Sequence, residues 1–403
     1  MTGCENGVAK RQFDLILFGA TGFTGGLTAA YLAAHAPASL RWALAGRSVR
    51  KLAEVKRRLA QAYPRCESLG LVQADSFDAR ALARMAESTQ VVISTVGPYI
   101  HYGEALVAAC AERGTHYVDL TGEPEFVELC LQKYDAVARS SGAKIINCCG
   151  FDSIPHDLGV LFTVLQCPPD VPIRIRGFVR VSMRISGGTW HSAVHAFSRL
   201  RHYVRLRRQR GAVAPADGRR VKALMQGVHY EPQLRKWAVP FPTIDPQVVR
   251  RSARALDCYG PDFGYAHYLE VKRLPLVLAT AAGASTVFAL AQFKPTRQWL
   301  LSRKAVGDGP DPQRRARSWF RVRFMANAGG HPIRTQVSGG DPGYDETAKM
   351  LSEAALCLLQ DNTPPVAGVI TPAAALGEAL IHRLQRAGMR FETQWTRRKQ
   401  VTT

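Results

Sequence analysis

The chain has 403 residues, too many for one hydrophobic core of ordinary size, so its length predicts two domains or one domain with a large insertion. Hydrophobic residues make up 46%, which excludes a globally disordered chain. The formal net charge of +21 favours anionic partners such as phosphorylated cofactors, acidic lipid surfaces or nucleic acid, although an arginine excess also arises from genome composition alone. Nine cysteines without a Cys-x-x-Cys pair or a nearby cysteine/histidine cluster argue for a reducing compartment and against structural zinc. Residues 1–12 read as a polar, flexible lead-in with no hydrophobic signal-peptide core, so the expected location is the cytoplasm, with peripheral attachment to the inner face of a membrane left to later segments.

From Phe13 the pattern alternates strand and helix. Strands are expected at 13–18, 40–45, 69–74, 91–96, 116–120 and 144–149, and helices at 24–35, 48–62, 77–87, 103–113 and 123–140. Segments of these lengths imply a parallel sheet covered on both faces, and right-handed crossovers make it a doubly wound α/β sheet of Rossmann type with ligands outside the strands' carboxyl ends. The rhythm then changes. Residues 174–185 alternate polar with apolar, as a half-exposed antiparallel strand does. Residues 199–222 are basic, 274–293 are apolar and uncharged, 320–324 and 333–338 read as paired strands, and 345–359 and 373–387 as amphipathic helices. The expected domains are 13–168 for NADP binding, 169–345 for an α+β substrate domain, and 346–403 for C-terminal helices and a tail that pack back on the first domain.

Gly19, Gly22 and Gly25 follow the first strand and open the first helix, the context a dinucleotide fingerprint requires. Gly19 permits the sharp turn, Gly22 lets backbone N–H groups approach a pyrophosphate, and Gly25 brings the helix close to the sheet. Thr21, Phe23 and Thr24 share that turn. The second strand ends in Ala45-Gly46-Arg47-Ser48, with no carboxylate for a ribose 2′-hydroxyl. Arg47 and Ser48 suit a 2′-phosphate instead, so NADP (NADPH) is the expected cofactor. Asp75 ends the third strand, facing the adenine edge or capping the next helix, and Val96-Gly97-Pro98 at the fourth strand's end should lie beside the nicotinamide ribose.

The stretches "GATGFTG", "AGRS", "VGPY-x-x-YGE", "YVDLTGE", "GFDSIP-x-DLG", "GGTW-x-SA" and "GVITPAAALG" together resemble, in order, the saccharopine dehydrogenase-like oxidoreductases, a group that includes trans-acting enoyl reductases of lipid polyketide synthesis. The resemblance runs from Phe13 to about Phe391. It implies a nicotinamide-dependent reductase whose second α+β domain is inserted before C-terminal helices, and it leaves the substrate open.

For enoyl reduction, hydride goes to the β-carbon and a proton to the α-carbon, and the transient enolate needs a hydrogen-bond donor. The candidates are Tyr99, Ser153 and Thr189. Tyr99 also reads as a packing ring, Asp152 and Ser153 as helix caps or as ligands of nicotinamide or substrate, and Trp190 as a pocket wall. No Ser-His-Asp order, paired acid/base carboxylates or metal spacing supports a hydrolase or a metal centre. A saccharopine-type substrate would need converging arginines, which the composition allows. The third reading is a cofactor-binding protein of lipid surfaces without turnover.

Residues 274–293 are expected to form a buried or pocket-lining helix, with an interfacial segment and a membrane span as alternatives. The basic run with Arg201, Arg205, Arg207, Arg208 and Arg210 suits anionic headgroups or a solvated loop. Expected partners are a small hydrophobic substrate and an anionic membrane surface. A homodimer is left open, and nucleic acid is not expected, because no recognition motif accompanies the charge.

Overall fold

The structure, a computed structural model, describes residues 11–182, 218–224, 227–303 and 311–393, together with residues 190, 194, 198–199, 202–206 and 208. Its first half follows the expected alternation: β1 (Phe13–Phe18), α1 (Phe23–His35), β2 (Trp42–Gly46), α2 (Val49–Ala62), β3 (Gly70–Gln73), α3 (Ala79–Glu87), β4 (Thr89–Ser94), α4 (Tyr99–Tyr102), α5 (Glu104–Glu112), β5 (His116–Asp119), α6 (Pro124–Ser141), β6 (Lys144–Ile146) and α7 (Ile154–Val164). Local chemistry sets several boundaries. Ser48 caps α2 by accepting from Lys51 N at 3.4 Å, and the helix buries Leu52, Val55 and Leu59 as one stripe. Asp78 caps α3 by accepting from Ala81 N at 2.9 Å, which delays the helix to Ala79. β6 stops at Ile146 rather than Cys149 because Asp119 pulls the chain out of the strand. Its Oδ1 accepts from Cys148 N at 2.9 Å, its backbone carbonyl accepts from Cys149 N at 2.6 Å, and Cys148 takes a positive φ.

The second half adds β7 (Ile173–Ser182), β8 (Arg220–Ala223), β9 (His229–Glu231), β10 (Lys236–Pro240), α8 (Asp245–Ala255), β11 (Asp262–Val271), α9 (Leu274–Ala291), α10 (Lys294–Ser302), α11 (Pro312–Ala316), β12 (Trp319–Ala328), β13 (His331–Gly339), α12 (Asp345–Gln360), β14 (Gly368–Ile370), α13 (Pro372–Arg386) and β15 (Arg390–Thr393). The first sheet runs β14-β6-β5-β4-β1-β2-β3 and is parallel throughout. The second is mixed and runs β15-β13-β12-β7-β11-β10-β9, with β8 on β11. β7 is antiparallel to β12, as its alternation suggests, but parallel to β11 on its other edge. The C-terminal segment supplies a strand to each sheet: β14 pairs with β6 and β15 with β13.

Helix α7 joins the two layers and is buried along nearly its whole length. A Cβ on Gly159 would meet the Phe324 ring at 2.4 Å, so the helix lies flat on the second sheet. Asp157 anchors the C-terminal helix to it. Its Oδ2 accepts from Ala373 N at 2.8 Å and its Oδ1 from Ser252 Oγ at 2.6 Å.

The apolar run at 274–293 corrects one expectation. It is helical, but Val277 and Ala291 are buried while Leu276, Leu278, Phe288 and Phe293 are exposed, so it is not a core helix. No described helix is long and apolar enough to cross a membrane. Trp190 packs in the same satellite cluster as Ala291 and Leu300, with its indole N–H donating to the Leu300 carbonyl at 2.7 Å, and so does not wall a pocket. In the basic run Arg205 and Arg208 are exposed and Arg199 pairs with Glu125 at 2.5 Å, while Arg201, Arg207 and Arg210 lie outside the described residues.

Candidate active site

The chain leaves β1 for β2 and β3 on one side of the sheet and returns to β4 on the other, so a crevice opens between the ends of β1 and β4. The glycine turn lies there. Gly19 has φ of 92°, and Gly22 N donates to its carbonyl at 3.0 Å. A Cβ on Gly25 would stand 2.1 Å from that same carbonyl oxygen, and one on Gly19 would stand 2.6 Å from Thr95 Oγ1. These two glycines therefore serve the protein's own packing. Gly22 differs: a Cβ there would meet nothing closer than 3.4 Å, and Gly22 and Thr21 are exposed. Helix α1 starts at this point with no side-chain cap and no acid in its first turn. Its leading N–H groups and partial positive charge thus face a surface that backbone alone lines, which fits a pyrophosphate.

Arg47 directly follows β2, exposed and without an ion-pair partner among the described residues, next to Ser48 at the start of α2. Asp75 Oδ1 accepts from Phe77 N at 2.9 Å, which assigns it to the turn after β3. Val96, Gly97 and Pro98 follow β4 through a cis Gly97–Pro98 bond, with Gly97 exposed. Thr24 is half-buried and its carbonyl accepts from Thr28 Oγ1 at 2.9 Å. Phe23 meets Tyr344 edge-on at 4.8 Å, so its ring joins α1 to the chain before α12. In sheet order, the exposed residues Arg47, Gly22, Gly97 and Asp152 trace a track across the ends of β2, β1, β4 and β6.

Tyr99 and Ser153, the two proton-donor candidates among the described residues, do not converge on this track. Glu123 accepts from Tyr99 N at 3.0 Å and Ile100 N at 2.9 Å, which turns the Tyr99 ring inward. The Tyr99 hydroxyl donates to the Ser94 carbonyl at 3.0 Å, and burial pushes its pKa further up. Tyr99 therefore braces the end of β4 from inside. Ser153 is fully buried with its Oγ donating to the Asp152 carbonyl at 2.5 Å, so it neither caps α7 nor reaches the crevice. Thr189 lies outside the described residues.

Asp152, on the loop after β6, lies on the track. The residue is exposed, and its carboxylate has no hydrogen-bond or ion-pair partner among the described residues. Surrounding protein atoms desolvate the carboxyl and raise its pKa to about 6, although the residue as a whole is exposed. A Cβ on Gly122 would stand only 2.7 Å from Asp152 Oδ2, which places the carboxylate against the loop after β5. The sequence signal was an acid directly after the sixth strand, which reads equally well as a cap.

A doubly wound sheet with this turn, an arginine in place of the acid at the second strand and a mixed sheet attached beyond the sixth strand define an NADP-binding oxidoreductase of two-domain type. A family model described as the saccharopine dehydrogenase NADP binding domain matches residues 15–146, which makes NADP(H) the cofactor. The chain is 35% identical to a trans-acting enoyl reductase of Mycobacterium bovis, with 94% of this chain and 97% of that one covered. It is 33% identical to a saccharopine dehydrogenase-like oxidoreductase of Rattus norvegicus, with 95% and 97% covered. The chain belongs to the saccharopine dehydrogenase-like oxidoreductase family. Its fold matches that of the Saccharomyces cerevisiae saccharopine dehydrogenase with a TM-score of 0.53 at 12% identity, over 95% of this chain and 100% of that one.

Arg47, exposed just beyond β2, can pair with a 2′-phosphate. Arg47→Ala is expected to raise the dissociation constant for NADPH by about 10–100-fold, the worth of a charge-assisted hydrogen bond, and to leave NADH unchanged. Fluorescence titration with both coenzymes checks this.

Proposed function

We propose that the chain reduces the carbon–carbon double bond of a hydrophobic acyl, enoyl or polyketide-lipid substrate. Bound NADPH supplies the hydride. The backbone of residues 19–25 and the start of α1 hold its phosphates, Arg47 and Ser48 hold the 2′-phosphate, and Gly97 admits the rest of the molecule along the strand ends. Asp152, at the end of the track away from Arg47, gives the proton that the substrate's α-carbon needs.

The observation that carries this reading is Asp152 itself: an accessible, unpartnered carboxyl raised toward neutrality, as a general acid requires. The name of the mycobacterial relative supports the substrate class. The amino-acid alternative draws less support, because Arg174, Arg176, Arg315 and Arg323 of the second half are each paired with an internal carboxylate. The exposed apolar residues of α9, flanked by Lys272, Arg273, Lys294 and Arg297, support an anionic lipid surface as the place of work.

The test is NADPH oxidation with enoyl thioesters of increasing chain length, beside saccharopine with NADP. Turnover that rises with acyl length supports the proposal, and turnover of saccharopine alone overturns it. Silence with both, together with flotation on anionic vesicles, would favour the cofactor-binding protein without turnover. A chain that fails to float at low salt removes the lipid surface.

A further inference from the structure

Where α7 meets the second sheet, three side chains far apart in sequence form a buried cluster. His156 projects from α7, Asp245 from the first turn of α8 and His267 from the middle of β11. Their relative exposures are 2%, 2% and 6%. His267 Nε2 lies 3.5 Å from Asp245 Oδ2, and His156 Nε2 lies 3.8 Å from Asp245 Oδ1, both too long for hydrogen bonds. The two rings meet edge-on at 4.8 Å. Asp245 Oδ1, His267 Nε2 and His156 Nδ1 are all buried without a protein hydrogen-bond partner. One such atom costs about 1–3 kcal/mol, so the two on Asp245 and His267 demand a common explanation, whereas His156 Nδ1 points away from the Nε2 that faces Asp245.

We propose that this cluster is a binding site for a divalent transition-metal ion, with zinc as the expected occupant. Two imidazoles and one carboxylate are a recurrent ligand set for zinc and for ferrous iron. Ligand atoms about 2.0–2.1 Å from a tetrahedral zinc lie roughly 3.3 Å apart, and His156 Nε2 already lies 3.8 Å from Asp245 Oδ1. All the ligand atoms fall within 4.8 Å of one another, so a contraction of the widest pair supplies three ligands, and a water molecule makes the fourth.

The surroundings are those of an oriented ligand set. Tyr265 Oη stands 3.0 Å from His267 Nδ1, and a proton on Nδ1 shared with that oxygen leaves the Nε2 lone pair facing Asp245. Thr243 Oγ1 holds Asp245 Oδ2 and leaves Oδ1 for the metal. Phe151 against His156 and Phe241 against His267 form an apolar cover. Spacings of 89 and 22 residues give no sequence signal, which is why a search for metal motifs passes over these residues. An ion here would fasten α7 to the second sheet, and the assignment does not depend on the reductase chemistry.

The test uses the full chain, stripped with a chelator and titrated with zinc against a chromophoric competitor, with cobalt(II) absorption as a second readout. The parent is expected to take up one ion per chain, with the visible bands of four-coordinate cobalt, and to melt at a higher temperature when loaded. Asp245→Asn and His267→Gln are expected to weaken binding more than about 100-fold, and Tyr265→Phe by about tenfold, the usual effect of removing a ligand's outer partner. NADPH binding at the glycine turn reports whether each variant is folded. Uptake by the parent far below one ion per chain overturns the proposal, because the cluster then satisfies its polar atoms with water; so does full affinity in the folded variants. The parent's titration decides the question even where a variant fails to fold.

Discussion

A Gly25→Ala chain is expected to bind no measurable NADPH and to melt well below the parent, whereas a Gly22→Ala chain melts with the parent and binds NADPH at least about tenfold more weakly. The two glycines stand three residues apart in one turn, and their surroundings separate them. At Gly25 the added carbon would meet a main-chain oxygen, that of Gly19, at 2.1 Å. That oxygen belongs to a residue already fixed at φ of 92°, so neither side can yield cheaply. Overpacking in a well-filled interior costs about 1–3 kcal/mol, and a clash with main chain lies at or beyond the upper end of that range. At Gly22 the backbone is extended, with φ of −79°, which any residue adopts, and the new methyl group would meet only the Gly19 carbonyl oxygen, at 3.4 Å. The fold loses nothing there. The loss falls on whatever approaches the bare amides. Thermal melts and coenzyme titrations of both variants check the pair. Equal melting temperatures, or undiminished NADPH binding by Gly22→Ala, would show that the turn holds no pyrophosphate.

The sequence disclosed the nucleotide half of the molecule well because each signal there is local. A strand buried on both faces reads as an apolar run, and Ser48 and the glycine spacing mark their own positions. Even the absence of an acid at Arg47 is visible in a four-residue window. The second half was less legible. β14 is three residues long and exists because Gly368–Ile370 finds the edge of β6, more than two hundred residues earlier in the chain. Helix α9 looked like core because its residues are apolar on every side, and hydrophobicity alone does not say whether a partner arrives to cover them. Two of the proton-donor candidates, Tyr99 and Ser153, miss the crevice for a related reason. Residue type and strand-end position placed Tyr99 and Ser153 near the crevice, but the direction of each side chain was set by partners elsewhere: Glu123 turning Tyr99 inward and the Asp152 carbonyl holding Ser153. Asp152 acquires its character from the protein atoms around its carboxyl and the His156–Asp245–His267 cluster from burial, and no window of sequence contains either.

Asp152→Asn is expected to lower kcat for enoyl reduction by about 10²–10⁴-fold, the usual contribution of a general acid, with little change in the dissociation constant for NADPH. The substitution keeps the shape and removes the proton. Asp152 has no partner to lose among the described residues, so the variant should melt near the parent, and a fall in kcat then reports chemistry rather than folding. The pH profile supplies the discriminating sign. A general acid works in its protonated form, and the Asp152 carboxyl is raised to about 6. The parent's kcat should therefore hold at low pH and fall as pH rises through that value, while the residual activity of Asp152→Asn stays flat across the same range. Asp152→Glu should keep the falling profile at a reduced rate, because the proton is present but displaced by a methylene. Tyr99→Phe and Ser153→Ala serve as the comparison. Their hydroxyls are committed to the carbonyls of Ser94 and Asp152, so both should retain the parent's profile, and Tyr99→Phe should lose stability by about 1 kcal/mol for the broken hydrogen bond. If instead Tyr99→Phe flattens the profile while Asp152→Asn preserves it, the proton comes from the phenol, and the end of β4 must open during turnover to release it.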